Sequence, residues 1–133
     1  MNKLNNINSK QDHILACLSS APSNAKIIRS AARMAKALGA RFTAIYVQTD
    51  FAVATDENKK RLEENRKLAE QLGATIETVY GDDIPYQIAE FARISGITRI
   101  VLGQSSAIQK HLFGKPTLTQ LLLSYVPELD IHI

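Results

Sequence analysis

Tryptophan is absent from this chain and cysteine occurs once, at Cys17. A single thiol excludes an intramolecular disulfide and offers no cysteine cluster to a metal. The three histidines, His13, His111 and His132, are scattered and lack the close spacing of a metal site. The net charge of +3 is too small to imply a nucleic-acid partner. No run approaches the roughly 18 apolar residues that a membrane helix needs, so direct membrane insertion is not expected. Met1 to Asp12 is polar and Asn-rich, with no apolar signal core, and is predicted to be a flexible lead-in. These absences together fit a reducing, cytoplasmic compartment. What is present is a core: 45% of the 133 residues are hydrophobic, enough for a single domain, placed at residues 13–133.

Short apolar runs alternate with longer amphipathic ones. His13 to Leu18 is too short for a helix and predicts a strand buried on both faces. Ser19 to Ser23 is a loop, and Ser23 is the expected N-cap of a helix beginning at Asn24. Ile27, Ile28, Ala31, Ala32, Met34, Ala35 and Leu38 share a face of that helix, and Gly39 stops it. Residues 41–47 form a second predicted strand. Asp56 is the expected cap of a charged helix over 57–72, with Leu62, Leu68, Ala69 and Leu72 inward. Its Lys59-Lys60-Arg61 run is balanced by Glu57, Glu63 and Glu64 and predicts a solvated face.

Residues 75–80 alternate in polarity, as a strand near a sheet edge does. Asp83 and Pro85 open the next helix, and Gly96 closes it. Residues 98–102 are a fourth strand. Gly103 to Thr117 is a loop, Thr117 and Gln120 make a capping box, and residues 130–133 begin a fifth strand. Strict β-α alternation predicts a parallel sheet with helices on both faces. Ligands of such sheets sit beyond the carboxyl ends of strands where the winding reverses, which brings the Ser19–Ser23 and Gly103–Thr117 loops together.

Those loops supply the candidate contacts. Ser19, Ser20 and Ser23 offer hydroxyls beside a helix start, where unpaired N–H groups favour anions. Gly103 allows close backbone approach, Gln104, Ser105 and Ser106 offer hydrogen bonds, and Lys110 and Thr117 complete the rim. Phe42 and Tyr46 share a strand face with Ala44 between them, and Tyr46, nearer the carboxyl end, is the better stacking partner for a base. No nucleophile–base pair stands out, and vicinal Asp82 and Asp83 are explained by capping, so this domain is not expected to be an enzyme.

Four segments carry a family resemblance: residues 14–23 (Ile-Leu-Ala-Cys-Leu-Ser-Ser-Ala-Pro-Ser), 28–35 (Ile-Arg-Ser-Ala-Ala-Arg-Met-Ala), 42–47 (Phe-Thr-Ala-Ile-Tyr-Val) and 96–105 (Gly-Ile-Thr-Arg-Ile-Val-Leu-Gly-Gln-Ser). They resemble the universal stress protein fold and, more narrowly, the universal-stress-type domain of KdpD-type, potassium-responsive sensor histidine kinases. The resemblance implies a three-layer α/β sandwich, its five-stranded parallel sheet ordered 3-2-1-4-5, as in the adenine nucleotide alpha hydrolase-like proteins. It also implies that the chain is part of a larger, membrane-anchored, two-component signal-transduction kinase, whose other domains are its partners. A homodimer through the last strand is a further expectation.

ATP-binding members of the wider family resemble one another in a loop of Gly, two residues, Gly, nine residues, Gly and Ser/Thr. Here Gly103 and Thr117 match, while Ser106 and Pro116 replace the second and third glycines. The acid those proteins place after the first strand is also missing. ATP is therefore the lesser expectation. Some KdpD relatives resemble cyclic di-AMP receptors, whose signature joins Ser-any-Ser after the first strand to Phe-Thr-Ala-any-Tyr in the second. Phe42, Thr43, Ala44 and Tyr46 match the second half. Ser19 matches the first serine, and Ala21 stands where the second would fall. Cyclic di-AMP is the preferred ligand class, with a ligand-free protein-interaction or dimerisation module as the alternative and a stand-alone ATP-binding universal stress protein as a weaker one.

Overall fold

A computed structural model describes residues 11–50, 54–103 and 116–133. In chain order the elements are β1 (His13–Cys17), α1 (Asn24–Leu38), β2 (Arg41–Gln48), α2 (Asp56–Gln71), β3 (Thr75–Tyr80), α3 (Ile84–Ser95), β4 (Arg99–Val101), α4 (Leu118–Tyr125) and β5 (Asp130–His132). The five strands form one sheet in the order β3-β2-β1-β4-β5, and every pairing is parallel. The winding reverses between β1 and β4, so the crevice above their carboxyl ends is the place where such sheets take ligands.

The strand sequences explain their positions. In β1, Ile14, Leu15 and Ala16 are fully buried, as a central strand covered on both faces must be. Its side chains alternate between two cores. Ile14 and Ala16 pack with Ile28, Ala31, Phe42, Ala44 and Ala69, under α1 and α2. Leu15 packs with Ile45, Ile88, Ala92, Ile100 and Leu122, under α3 and α4. β3 buries little of either face, which fits its place at the sheet edge. Among the described residues, no helix is long and apolar enough to cross a membrane.

The helix ends follow local chemistry, with three departures from the sequence reading. Gly39 and Gly96 close α1 and α3 at φ of 60° and 69°, where a side chain would be strained. Asp83 caps α3 through the Tyr86 N–H, as expected. The cap of α2, however, is Thr55 rather than Asp56. The Thr55 hydroxyl accepts from the Asn58 N–H, and Asp56 becomes the first helical residue, where its charge suits the helix dipole. Ser23, expected to cap α1, makes no side-chain cap bond and already has helical dihedrals. Leu72, expected inward, is exposed because α2 ends before it.

Thr117 and Gln120 form the full capping box of α4. The Thr117 hydroxyl accepts from the Gln120 N–H at 3.1 Å, and the Gln120 side chain accepts from the Thr117 N–H at 2.9 Å. Thr117→Ala is expected to lower stability by about 1 kcal/mol. A urea unfolding midpoint that moves down at unchanged slope checks this.

Candidate functional site

The β1–α1 connection is built by buried asparagines. Asn24, 2% exposed, opens α1 and turns its side chain back across the loop. Its Oδ1 accepts from the Ser19 N–H at 3.2 Å, and its Nδ2 donates to the Cys17 carbonyl at 2.8 Å. Asn65 of α2, also buried, donates to the Ser19 carbonyl at 2.8 Å. Both backbone groups of Ser19 are thus held by side chains from two different helices. Arg61 adds a third tie, donating to the Ser20 carbonyl at 2.9 Å while pairing with Glu57 at 2.8 Å. The Ala21 N–H donates to the Ser19 hydroxyl. A rim that must leave the strand and start a helix within a few residues satisfies its backbone this way, where no ladder partner is available.

Above this rim lies a cleft of about 600 Å³ at the carboxyl ends of β1, β2 and β4. Cys17, Ile45 and Val101 floor it. Ser19, Ser20, Ser23 and Ile27 form one wall, Tyr46 to Thr49 border it from β2, and Asn58, Lys59 and Leu62 close it from α2. Gly103 lines it from β4, and a Cβ there would come within 2.7 Å of Ile27 Cδ1. The glycine thus admits α1 close against the end of β4. Such a volume lies within the range of small-molecule sites.

The electrostatics of the cleft are one-sided. Among the described residues, Lys59 is the sole charged side chain on its walls, and no carboxylate lines it. The first turn of α1 contains no acid and receives no cap from the Ser23 side chain; the Asn24 N–H donates to the Ala21 carbonyl at 3.1 Å. A helix start in that condition favours an anion. Burial pushes the Cys17 thiol up to about 12, which keeps it protonated and unreactive at neutral pH. No group of three or more metal-ligating side chains occurs among the described residues.

No family model matches the chain. Over 114 residues it is 35% identical to the sensor protein KdpD of Clostridium acetobutylicum, covering 84% of this chain and 13% of that one. Its structure superposes on a universal stress protein in complex with cAMP, with a TM-score of 0.65, 17% identity, and coverage of 92% of this chain and 94% of the other. The Archaeoglobus fulgidus universal stress protein in complex with dAMP gives a TM-score of 0.57 at 17% identity, covering 92% and 95%. The chain is a universal-stress-type domain of the KdpD type. It spans 13% of the length of the Clostridium relative.

In this KdpD-type domain the residues singled out in the sequence separate into groups. Ser19, Ser20, Ser23, Tyr46 and Gly103 meet at the cleft. Phe42, Thr43 and Ala44 do not line it, because they lie earlier on β2 and are buried. Phe42 and Ala44 pack under α1 and α2, and the Thr43 hydroxyl bonds the His13 ring at 2.7 Å. Of the four specified positions of the Phe-Thr-Ala-any-Tyr signature, only Tyr46 reaches the cleft, beside Ile45 at the open position. Thr117 is occupied by its capping box, and its neighbour Leu118 lines the cleft instead. Gln104, Ser105, Ser106 and Lys110 lie outside the described residues.

Sequence reasoning missed Asn24, Asn65, Asn58 and Lys59. A signal for Asn65 was present: Leu62, Asn65 and Ala69 fall on one stripe at helical spacing, so an asparagine interrupts the apolar face of α2. A buried amide in such a stripe needs partners, and the nearest unpaired backbone is the loop it faces. The Lys59-Lys60-Arg61 run also needs correction. Lys59 and Lys60 are both exposed, as a solvated face requires, with Lys59 at the edge of the cleft, but Arg61 is half-buried against the rim.

Proposed function

We propose that this domain is the sensory module of a KdpD-type sensor kinase, and that it takes a nucleotide in the β1–β2–β4 cleft, cyclic di-AMP in preference to ATP. The observation that carries this reading is the cleft itself. Among the described residues it joins a helix start without a side-chain cap, a lysine and no carboxylate to apolar walls with Tyr46 at one side. Apolar walls and an aromatic ring suit a purine, and the helix start suits a phosphate. Solved proteins of the same fold hold cAMP and dAMP. The substitutions at Ser106 and Pro116 count against a triphosphate wrapped in the usual glycine loop.

Occupancy would bias the parent kinase by the difference in ligand affinity between its two states. The parent's other domains are the proposed partners, and the proposed setting is the cytoplasmic side of a membrane-anchored protein. Isothermal titration with cyclic di-AMP and with ATP tests the reading. Saturable heat with cyclic di-AMP and weaker heat with ATP is expected, and silence with both would overturn it. A second reading rests on β5, which among the described residues pairs only with β4 and ends the sheet. An unpaired edge favours a second copy of the domain, and sedimentation across concentration reads that association.

A further inference from the structure

Helix α2 looks at first like a solvated cover. Its surface is laced by pairs within the helix: Arg61 with Glu57, and Arg66 with Glu63 and Glu70. Lys59 stands outside this pattern. Like Lys60 and Lys67 it makes no ion pair among the described residues, but of the three it alone lines the cleft, together with Ser23, Asn24 and Ile27 at the start of α1. Two and six residues further along, Arg61 and Asn65 reach the carbonyls of Ser20 and Ser19. The helix that presents the lysine is therefore the helix that holds the facing rim.

We propose that α2 is a working wall of the binding site. Lys59 takes an anionic group of the occupant, and Asn65 and Arg61 are positioning residues that fix the distance between that charge and the Ser19–Ser20 rim. The inference rests on the nucleotide-binding reading and deepens it. It makes α2, rather than the β4 loop alone, a source of charge for the ligand's phosphate. It also gives an occupant with two phosphates two separate places, the α1 start and Lys59. Because the rim hangs from α2 by two side chains, a ligand that draws Lys59 inward moves the rim as well, and the rim in turn bears on Asn24 and α1.

The test uses the whole domain, cyclic di-AMP as probe, and titration at low and high salt, with circular dichroism confirming that each variant is folded. Lys59→Gln is expected to weaken binding about tenfold at low salt and to flatten the salt dependence. Lys59→Arg is expected to restore both. Asn65→Ala is expected to weaken binding while leaving the salt dependence as in the wild type, and to speed amide exchange at Ser19. Arg61→Ala, at a more exposed site, provides the same comparison should Asn65→Ala fold poorly. Lys59→Gln with wild-type affinity and salt slope would overturn the inference and leave the nucleotide reading standing. A wild-type domain silent to cyclic di-AMP and ATP would overturn both.

Discussion

Asn24→Ala is expected to destabilise the domain by about 2–4 kcal/mol, the largest effect of any polar-to-alanine substitution at the site. The side chain is 2% exposed and serves two backbone groups, the Ser19 N–H and the Cys17 carbonyl. Removing it leaves a donor and an acceptor without their partner, each costing about 1–3 kcal/mol, and a small void beside them. Against a total of about 5–15 kcal/mol for a domain of this kind, the protein stays folded but loses a large share of its margin. Urea unfolding should show a lower midpoint at the same slope. Asn24→Asp separates two roles. It keeps an acceptor for the Ser19 N–H, loses the donor to Cys17, and places a negative charge at the start of α1 and on the cleft wall. Its stability should fall at least as far as that of Asn24→Ala, because the second carboxylate oxygen faces the Cys17 carbonyl at a buried position, a cost that the helix start offsets only in part. Its affinity for an anionic nucleotide should fall more. An Asn24→Ala midpoint equal to the wild type would mean that the rim does not depend on this bracket.

The contrast between Asn24 and Ser23 shows where the sequence was legible and where it was not. The fold could be read because it rests on periodicity and punctuation. The run Ile14–Leu18, the stripe through Ile28, Ala31 and Ala35, and Gly39 and Gly96 each allow one local structure, and the β-α alternation allows few arrangements of the sheet. The caps that depend on one residue and its own helix, at Asp83 and Thr117, were legible for the same reason. The rim was not. Serine is a strong cap by type, yet the chain already turns helical at Ser23, and the polar work passes to Asn24. That transfer depends on where Cys17 and Ser19 lie once β1 is in the sheet. Asn65 is further still in sequence, 46 residues from the carbonyl it serves. Local propensity carries no information about such a bond. The Phe42–Tyr46 signature divides for a related reason. Strand alternation puts Phe42, Ala44 and Tyr46 on one face, but only the height of each along β2 decides which meets the cleft and which meets the core.

Acidification below the ordinary histidine range is expected to destabilise the domain through His13. The imidazole is buried at the start of β1, the opposite end of the sheet from the cleft. Its Nδ1 lies 3.2 Å from the Ser95 carbonyl, which can only accept, so Nδ1 carries the proton of the neutral ring. Nε2 then accepts from the Thr43 hydroxyl at 2.7 Å. Both ring nitrogens are satisfied without a charge. Burial holds the pKa below the ordinary value of 6.5, the Arg41 guanidinium lowers it further, and the Ser95 carbonyl opposes them in part. The unfolded chain therefore binds a proton near pH 6.5 while the native ring stays neutral to lower pH. In that window the unfolded state holds more protons, so stability rises with pH and is lost as pH falls below 6.5, levelling off once the native ring protonates too. Glu63 acts in a different window. Its pKa is lowered from 4.5 by the Arg66 hydrogen bond, so its contribution is lost only at more acid pH. Urea midpoints measured through both windows distinguish the two. His13→Leu should be less stable than the wild type near neutrality, because the Ser95 carbonyl loses its donor and the Thr43 hydroxyl its acceptor, but its profile should be flat where the wild type slopes. The start of β1 lies far from the site, so nucleotide affinity should not follow this titration while the domain remains folded. A wild-type profile flat through pH 6.5 would mean that the imidazole enters the fold as readily charged as neutral, against the two bonds that hold it.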